Sequence, residues 1–200
     1  MRRPDKPLST MRILTISGSL RAGSHNTALL RAAAELAPDG IEVVQYDGLD
    51  RLPHYNEDHD TEDPHGEVRR LREAIASADL VLISTPEYNG SVPGHLKTAI
   101  DWASRPFGHG SALWGKPVAV IGASVTDYGA VWAQDHLRKS LGLAGARVLD
   151  ADLAVPKAPD RFGGPNGELT DPETRERLGV VLSDLIAHRD GAAPAAVVAA

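Results

Sequence analysis

Residues able to hold a phosphate gather in Ser17-Gly18-Ser19-Leu20-Arg21-Ala22-Gly23-Ser24-His25-Asn26-Thr27, which leaves an apolar run and enters a helical pattern. Backbone N–H groups at a helix start attract anions, and the side chains of Ser17, Ser19, Ser24, Asn26 and Thr27 add neutral donors. Arg21 supplies a charged, fork-shaped donor. Named phosphate motifs compete for the stretch. A dinucleotide fingerprint needs G-x-G-x-x-G, and Ser19, Leu20 and Arg21 deny its later glycines. Gly18 and Gly23 have the glycine spacing of a nucleoside-triphosphate loop, but Ser24 stands where that loop needs its lysine. What remains is a hydroxyl-rich loop suited to one terminal phosphate. A capped helix start with polar residues in solvent is the plainer reading.

A second stretch, Thr85 through Lys97, lies between the apolar run Leu80–Ile83 and a helical pattern carrying Leu96, Ala99, Ile100 and Ala103 on one face. A polar loop past the carboxyl end of a parallel strand is where open α/β sheets bind ligands. Its candidates are Pro86, Glu87, Tyr88, Asn89 and Gly90. Lys97 and Asp101, four apart, suit a surface ion pair. A third loop, Gly122 to Gly129, holds the nearest approach to a serine-hydrolase elbow, and Thr126 spoils it where a small residue is required. The segment Pro53–His65 has three histidines and five carboxylates, but no fixed-face ligand spacing, so no metal site is expected there.

The elements that must position these loops alternate along the chain. Met11–Ile16, Ile41–Tyr46, Leu80–Ser84, Pro117–Gly122 and Ala146–Leu153 read as strands between turn signals. Between and after them run four amphipathic patterns: Leu29 to Leu36, Val68 to Ala78, Leu96 to Ala103 and Ala130 to Leu141. Pro172 opens a last helix bearing Leu178, Val181, Leu182, Leu185 and Ile186, after a Pro/Gly-rich loop over 154–170. Alternation of this kind implies an α/β fold, a parallel sheet covered on both faces in three layers. Strand order 2-1-3-4-5 is expected for five strands with right-handed crossovers. Residues 1–10 read as a flexible extension, 11–190 as the domain, and the Ala/Pro-rich 191–200 as a flexible tail.

Composition narrows the function. The chain has 200 residues, 42% of them apolar, enough for one sizeable core. A net charge of −6 argues against a nucleic-acid partner. No apolar run is long enough for a membrane span, and the start lacks a secretory apolar region. Cysteine is absent, which removes thiol chemistry and thiolate metal ligands. A cytoplasmic protein is expected.

The two loops together resemble the NAD(P)H-dependent FMN reductases, a flavodoxin-like family that includes chromate, quinone and azo-dye reductases. The likeness rests on the order G-S-L-R-x-x-S-x-N-T from Gly18 and P-E-Y-N-x-S-x-P-G-x-L-K-x-A-I-D-W from Pro86 to Trp102, and extends over roughly 11–187. It implies that Ser17, Ser19, Arg21, Ser24, Asn26 and Thr27 hold the FMN phosphate, and that Pro86, Glu87, Tyr88, Asn89 and Gly90 run along the flavin. Tyr88 would offer an aromatic surface, and Gly90 a close backbone approach. Ser124 carries over as a flavin contact, although Thr126, Asp127 and Tyr128 replace the family's more glycine-rich third loop. A carboxylate at Asp127 near the ring would disfavour reduced, anionic flavin; pointing into solvent, it would not.

By the same likeness the chain is an enzyme working by a ping-pong cycle. NADPH or NADH reduces FMN at N5 with no catalytic side chain, and a quinone, azo dye, nitro compound or chromate then takes the electrons. The Asp/His-rich loop 53–65 would lie near the mouth of the flavin pocket, its own or a partner's. A homodimer or homotetramer is implied; Trp102 reads as core or interface rather than cofactor contact, and Trp102 with Trp132 would suit such an interface. A flavodoxin-like electron carrier, or an FMN-binding module without NAD(P)H oxidation, is the alternative.

Overall fold

The computed structural model describes residues 11–190; the extension and tail expected at 1–10 and 191–200 lie outside them. Five parallel strands alternate with helices: β1 (Met11–Ser17), α1 (His25–Leu36), β2 (Ile41–Gln45), α2 (Gly66–Ser77), β3 (Leu80–Thr85), α3 (Gly94–Ala103), β4 (Pro117–Ala123), α4 (Val131–Leu143) and β5 (Arg147–Val148). The sheet order is β2-β1-β3-β4-β5, as the alternation predicts. The central strands β3 and β4 are buried along their whole length, which is why they read as unbroken apolar runs.

Side-chain alternation divides the core between two faces. Leu14, Ile16, Val81 and Ile83 point to a layer with Leu71 and Ile75 of α2, Leu96 and Ile100 of α3, and Leu137 and Leu141 of α4. Ile13, Leu80 and Leu82 point to the other, against Leu29 and Leu30 of α1 and Leu178 and Leu182 of α5 (Pro172–Ala187). Each fully buried aliphatic side chain contributes about 1.5–3 kcal/mol, so both helix layers are held firmly on the sheet. The three-layer flavodoxin-like sandwich is the result.

The edge beyond β4 departs from the sequence reading. Instead of one strand over Ala146–Leu153, β5 is followed by a separate β6 (Ala154–Val155), and both pair with β4. Val148 faces Val118 and Ala154 faces Gly122, so the five edge residues between them match three on β4 and two are extruded. Arg138 of α4 fills the gap in the ladder, donating to the carbonyls of Ala151 at 2.6 Å and Val120 at 3.3 Å. The 154–170 segment, read as loop, also holds a small antiparallel hairpin, β7 (Phe162–Gly163) with β8 (Glu168–Leu169). Strands of two residues are too short to show alternation, and only the turn between them was visible.

Candidate active site at the carboxyl ends of β1, β3 and β4

Three loops leave the same end of the sheet side by side. Loop 1 (18–24) follows β1, loop 2 (86–93) follows β3 and loop 3 (124–130) follows β4. Ser24 caps α1, its Oγ accepting from the Thr27 N–H at 3.2 Å, so the first-turn N–H groups of α1 open toward the loops. Gly18 is enforced by crowding: a Cβ there would lie 2.7 Å from Leu96 Cδ2 and 3.2 Å from Pro86. Its N–H donates to the Ser84 carbonyl at 2.7 Å, and its carbonyl accepts from His95 Nε2 at 3.0 Å. Loop 1 is therefore clamped to the elements on either side of loop 2, β3 and α3.

Asn26 ties all three strand ends together. Its Oδ1 accepts from Ser84 Oγ at 2.8 Å and from the Ala123 N–H at 2.9 Å, while its Nδ2 donates to the Ala123 carbonyl at 3.0 Å. Loop 2 is fixed in turn to α4, because Glu87 Oε2 accepts from the Ala133 N–H at 3.1 Å. At its tip Tyr88 and Ser91 exchange backbone hydrogen bonds across Asn89 and Gly90, whose φ of 52° and 69° make the tight turn for which Asn-Gly is suited. Gly90 serves that turn, and the space where its Cβ would lie is open.

These loops enclose a cleft of about 90 Å3 lined by Ser19, Arg21, Ser24, His25 and Asn26 from one side, Pro86, Glu87 and Tyr88 from the second, and Ala123, Ser124 and Val125 from the third. Eight of the residues singled out in the sequence meet there: Ser19, Arg21, Ser24, Asn26, Pro86, Glu87, Tyr88 and Ser124. Ser17 and Thr27 do not line it; their hydroxyls bond to each other at 2.8 Å beneath loop 1. Asn89 and Gly90 sit at the turn beyond its edge. His25, Ala123 and Val125 are additions that sequence reasoning missed. His25 occupied a variable position of the motif, and the other two carry no polar signal.

The donor set fits FMN. The floor presents first-turn N–H groups, the Ser19 and Ser24 hydroxyls and the Arg21 guanidinium, which has no partner among the described residues. That is the chemistry of a phosphate cradle. The open lip presents Tyr88 at 48% and Val125 at 61% exposure, with Leu20, Tyr128 and Trp132 also exposed, as a flat apolar ring system would require. Asp127 turns outward and pairs with Lys157 at 3.2 Å. Trp102, read as a core or interface residue, is only 1% exposed; its indole donates to the Pro53 carbonyl at 2.9 Å, so it belongs to the core.

The profile of the NADPH-dependent FMN reductases matches residues 11–160. The NAD(P)H-dependent FMN reductase of Pseudomonas aeruginosa is 41% identical over 169 residues, which is 84% of this chain and 89% of that protein. A quinone reductase of Escherichia coli K12 is 38% identical over 167 residues, 83% and 84% of the two chains. Among solved structures, FerB, a flavoenzyme NAD(P)H:(acceptor) oxidoreductase from Paracoccus denitrificans, superposes with a TM-score of 0.80 at 34% identity, covering 90% of this chain and 97% of that one.

Proposed function

The chain belongs to the NADPH-dependent FMN reductase family, and from that premise we propose that it passes electrons from NAD(P)H through FMN to small electron-poor acceptors, quinones first, by a ping-pong cycle. The observation that carries this reading is a donor-lined floor continuous with an apolar lip in one cleft. When bound, the flavin supplies the redox chemistry, accepting electrons from the reduced nicotinamide and releasing them to the acceptor.

The chain's own residues bind and orient. Arg21, Ser19 and Ser24 hold the phosphate, with Asn26 positioning the loop through its three internal bonds. Pro86 to Tyr88 run along the flavin, and Glu87 is held in place by its bond from α4. Ser124 borders the same space from the third loop. Ser17 and Thr27 stiffen loop 1 from beneath, and Asn89 with Gly90 set the turn that presents Tyr88. The lip of Tyr88 and Val125 is a single face, so nicotinamide and acceptor use it in turn. No side chain is assigned a proton-transfer role.

The enclosed 90 Å3 suits the phosphate end and leaves the ring end open. Cover by a second copy, over Tyr128 and Trp132, follows from that openness and supports a homodimer or homotetramer. We read 11–190 as the working domain of a cytoplasmic protein; among the described residues no helix is long and apolar enough to cross a membrane.

The test is the visible spectrum of purified protein before and after anaerobic NADPH. A flavin spectrum that bleaches supports the cycle. One that persists overturns it in favour of an electron carrier, and failure to bind added FMN removes the cofactor assignment.

A further inference from the structure

His25 is the first residue of α1 and lines the cleft beside Ser19, Arg21 and Ser24. Its ring lies against Phe162 of β7, with centroids 5.0 Å apart, which fixes it in the wall. No hydrogen bond engages its ring nitrogens among the described residues, unlike those of His95 and His136. We infer that His25 is a phosphate-binding residue, and that it takes up one proton from solvent onto its imidazole as the FMN phosphate seats. This rests on the reading of the cleft as an FMN site and deepens it.

Its surroundings explain why the proton arrives with the ligand. On its own loop it faces Arg21, and along α1 it shares a neighbouring cleft with Arg31. Across the cleft stands Glu87, whose carboxylate already accepts from α4. From the hairpin, Arg161 beside Phe162 is paired with Asp171, and Glu168 is bonded to Asn166. An imidazolium is thus opposed by a free arginine and by the positive end of the helix. Burial and then Arg21 hold the His25 pKa below its ordinary value, so the ring is neutral at pH 7 in the free protein. A phosphate dianion reverses that balance by placing an opposite charge at the same spot.

Calorimetry of FMN binding at pH 7, in a sulfonate buffer and an amine buffer of different ionisation enthalpy, measures the proton directly. The unaltered protein is expected to take up a large fraction of one proton. His25→Phe, which keeps a ring against Phe162, is expected to release a small fraction, set by the phosphate's own second ionisation near ~6. Riboflavin, lacking the phosphate, is the control that should move none. Between pH 7.5 and 5.5 the variant should lose FMN affinity about fourfold as the dianion is protonated, while the unaltered protein should bind more tightly as pH falls below 7.5, because a complex that takes up a proton is favoured at lower pH. Equal uptake in protein and variant, or none in the unaltered protein, overturns the role of His25. Failure of the unaltered protein to bind FMN overturns the cleft reading first, and is told apart by that result alone.

Discussion

Where β1 and β3 end, polar side chains turn inward and bond to backbone: Asn26 to Ala123, Ser24 to Thr27, Glu87 to Ala133, His95 to Gly18. Where β4 ends, the polar groups turn to solvent. Ser124 and Thr126 pair their hydroxyls at 2.9 Å on the surface, Asp127 meets Lys157 there, and Val125 stands exposed. The two walls of one cleft are therefore built on different plans. A phosphate is small and invariant, so fixed donors ordered during folding lose little entropy on binding it. Acceptors of varied shape need the opposite, a wall with little committed structure.

The sharpest way to break that contrast is to remove the tie at the fixed wall. Asn26→Leu strands Ser84 Oγ and both polar groups of Ala123 in a buried place. Unsatisfied buried groups cost about 1–3 kcal/mol each. The unfolding free energy of FMN-free protein, read from urea titration, should fall by an amount on the order of 3 kcal/mol, with FMN binding lost alongside. A loss below about 1 kcal/mol would mean that packing, not this amide, holds the three strand ends.

Arg21→Ala separates binding from folding on the same wall. The guanidinium is exposed and has no partner among the described residues, so unfolding should be unchanged. FMN affinity should weaken by roughly 1.5–3 kcal/mol, the scale of a charge-assisted bond. Fluorescence titration with FMN reads this directly, and unchanged affinity would remove Arg21 from the site.

Behind the fixed wall, Phe162 is backed by a hairpin that Asp171 helps close. Asp171 accepts from the Thr174 hydroxyl at 2.6 Å and its N–H at 2.9 Å, and pairs with Arg161 at 2.8 Å. Those bonds, Thr174's first, pull its carboxyl from 3.8 to about 2. A depressed acid stabilises the folded state above its unfolded pKa, and that contribution disappears as pH falls through the folded one. Denaturation between pH 5 and about pH 2 should therefore show a decline in stability that Asp171→Asn flattens. Parallel curves for the two proteins would exclude the carboxylate.

Much of the fixed wall was legible because its residues speak locally. Ser24 stands where a helix start needs a cap, and Pro172 where a last helix opens. What could not be read joins distant residues. The separation of 97 positions from Asn26 to Ala123 leaves no periodic trace, nor does that of 46 from Glu87 to Ala133. Asn26 was assigned to the phosphate by resemblance, and the fold gives its side chain a tie to make first. The split of the last strand was hidden for the same reason. Its two extruded residues are stabilised by Arg138, which sits on a helix and, in sequence, looks like an exposed polar position.

The adaptable wall yields the smallest expected effect, and it tests whether that wall is adaptable at all. The Asp127 side chain is 71% exposed and meets Lys157 at 3.2 Å. Exposed pairs of this kind contribute about 0–1 kcal/mol, and a carboxylate facing water is screened from a ring in the cleft. Asp127→Asn should leave FMN affinity within about twofold and shift the flavin midpoint potential by no more than about 10 mV, equivalent to roughly 0.5 kcal/mol for a two-electron couple. Spectroelectrochemical titration of protein and variant would measure it. A rise of several tens of millivolts would place the carboxylate against the flavin in the loaded protein, because removing a negative charge favours the reduced, anionic form. Loop 3 would then fold inward when ligand binds, and the wall that looks uncommitted would be the one that tunes the chemistry.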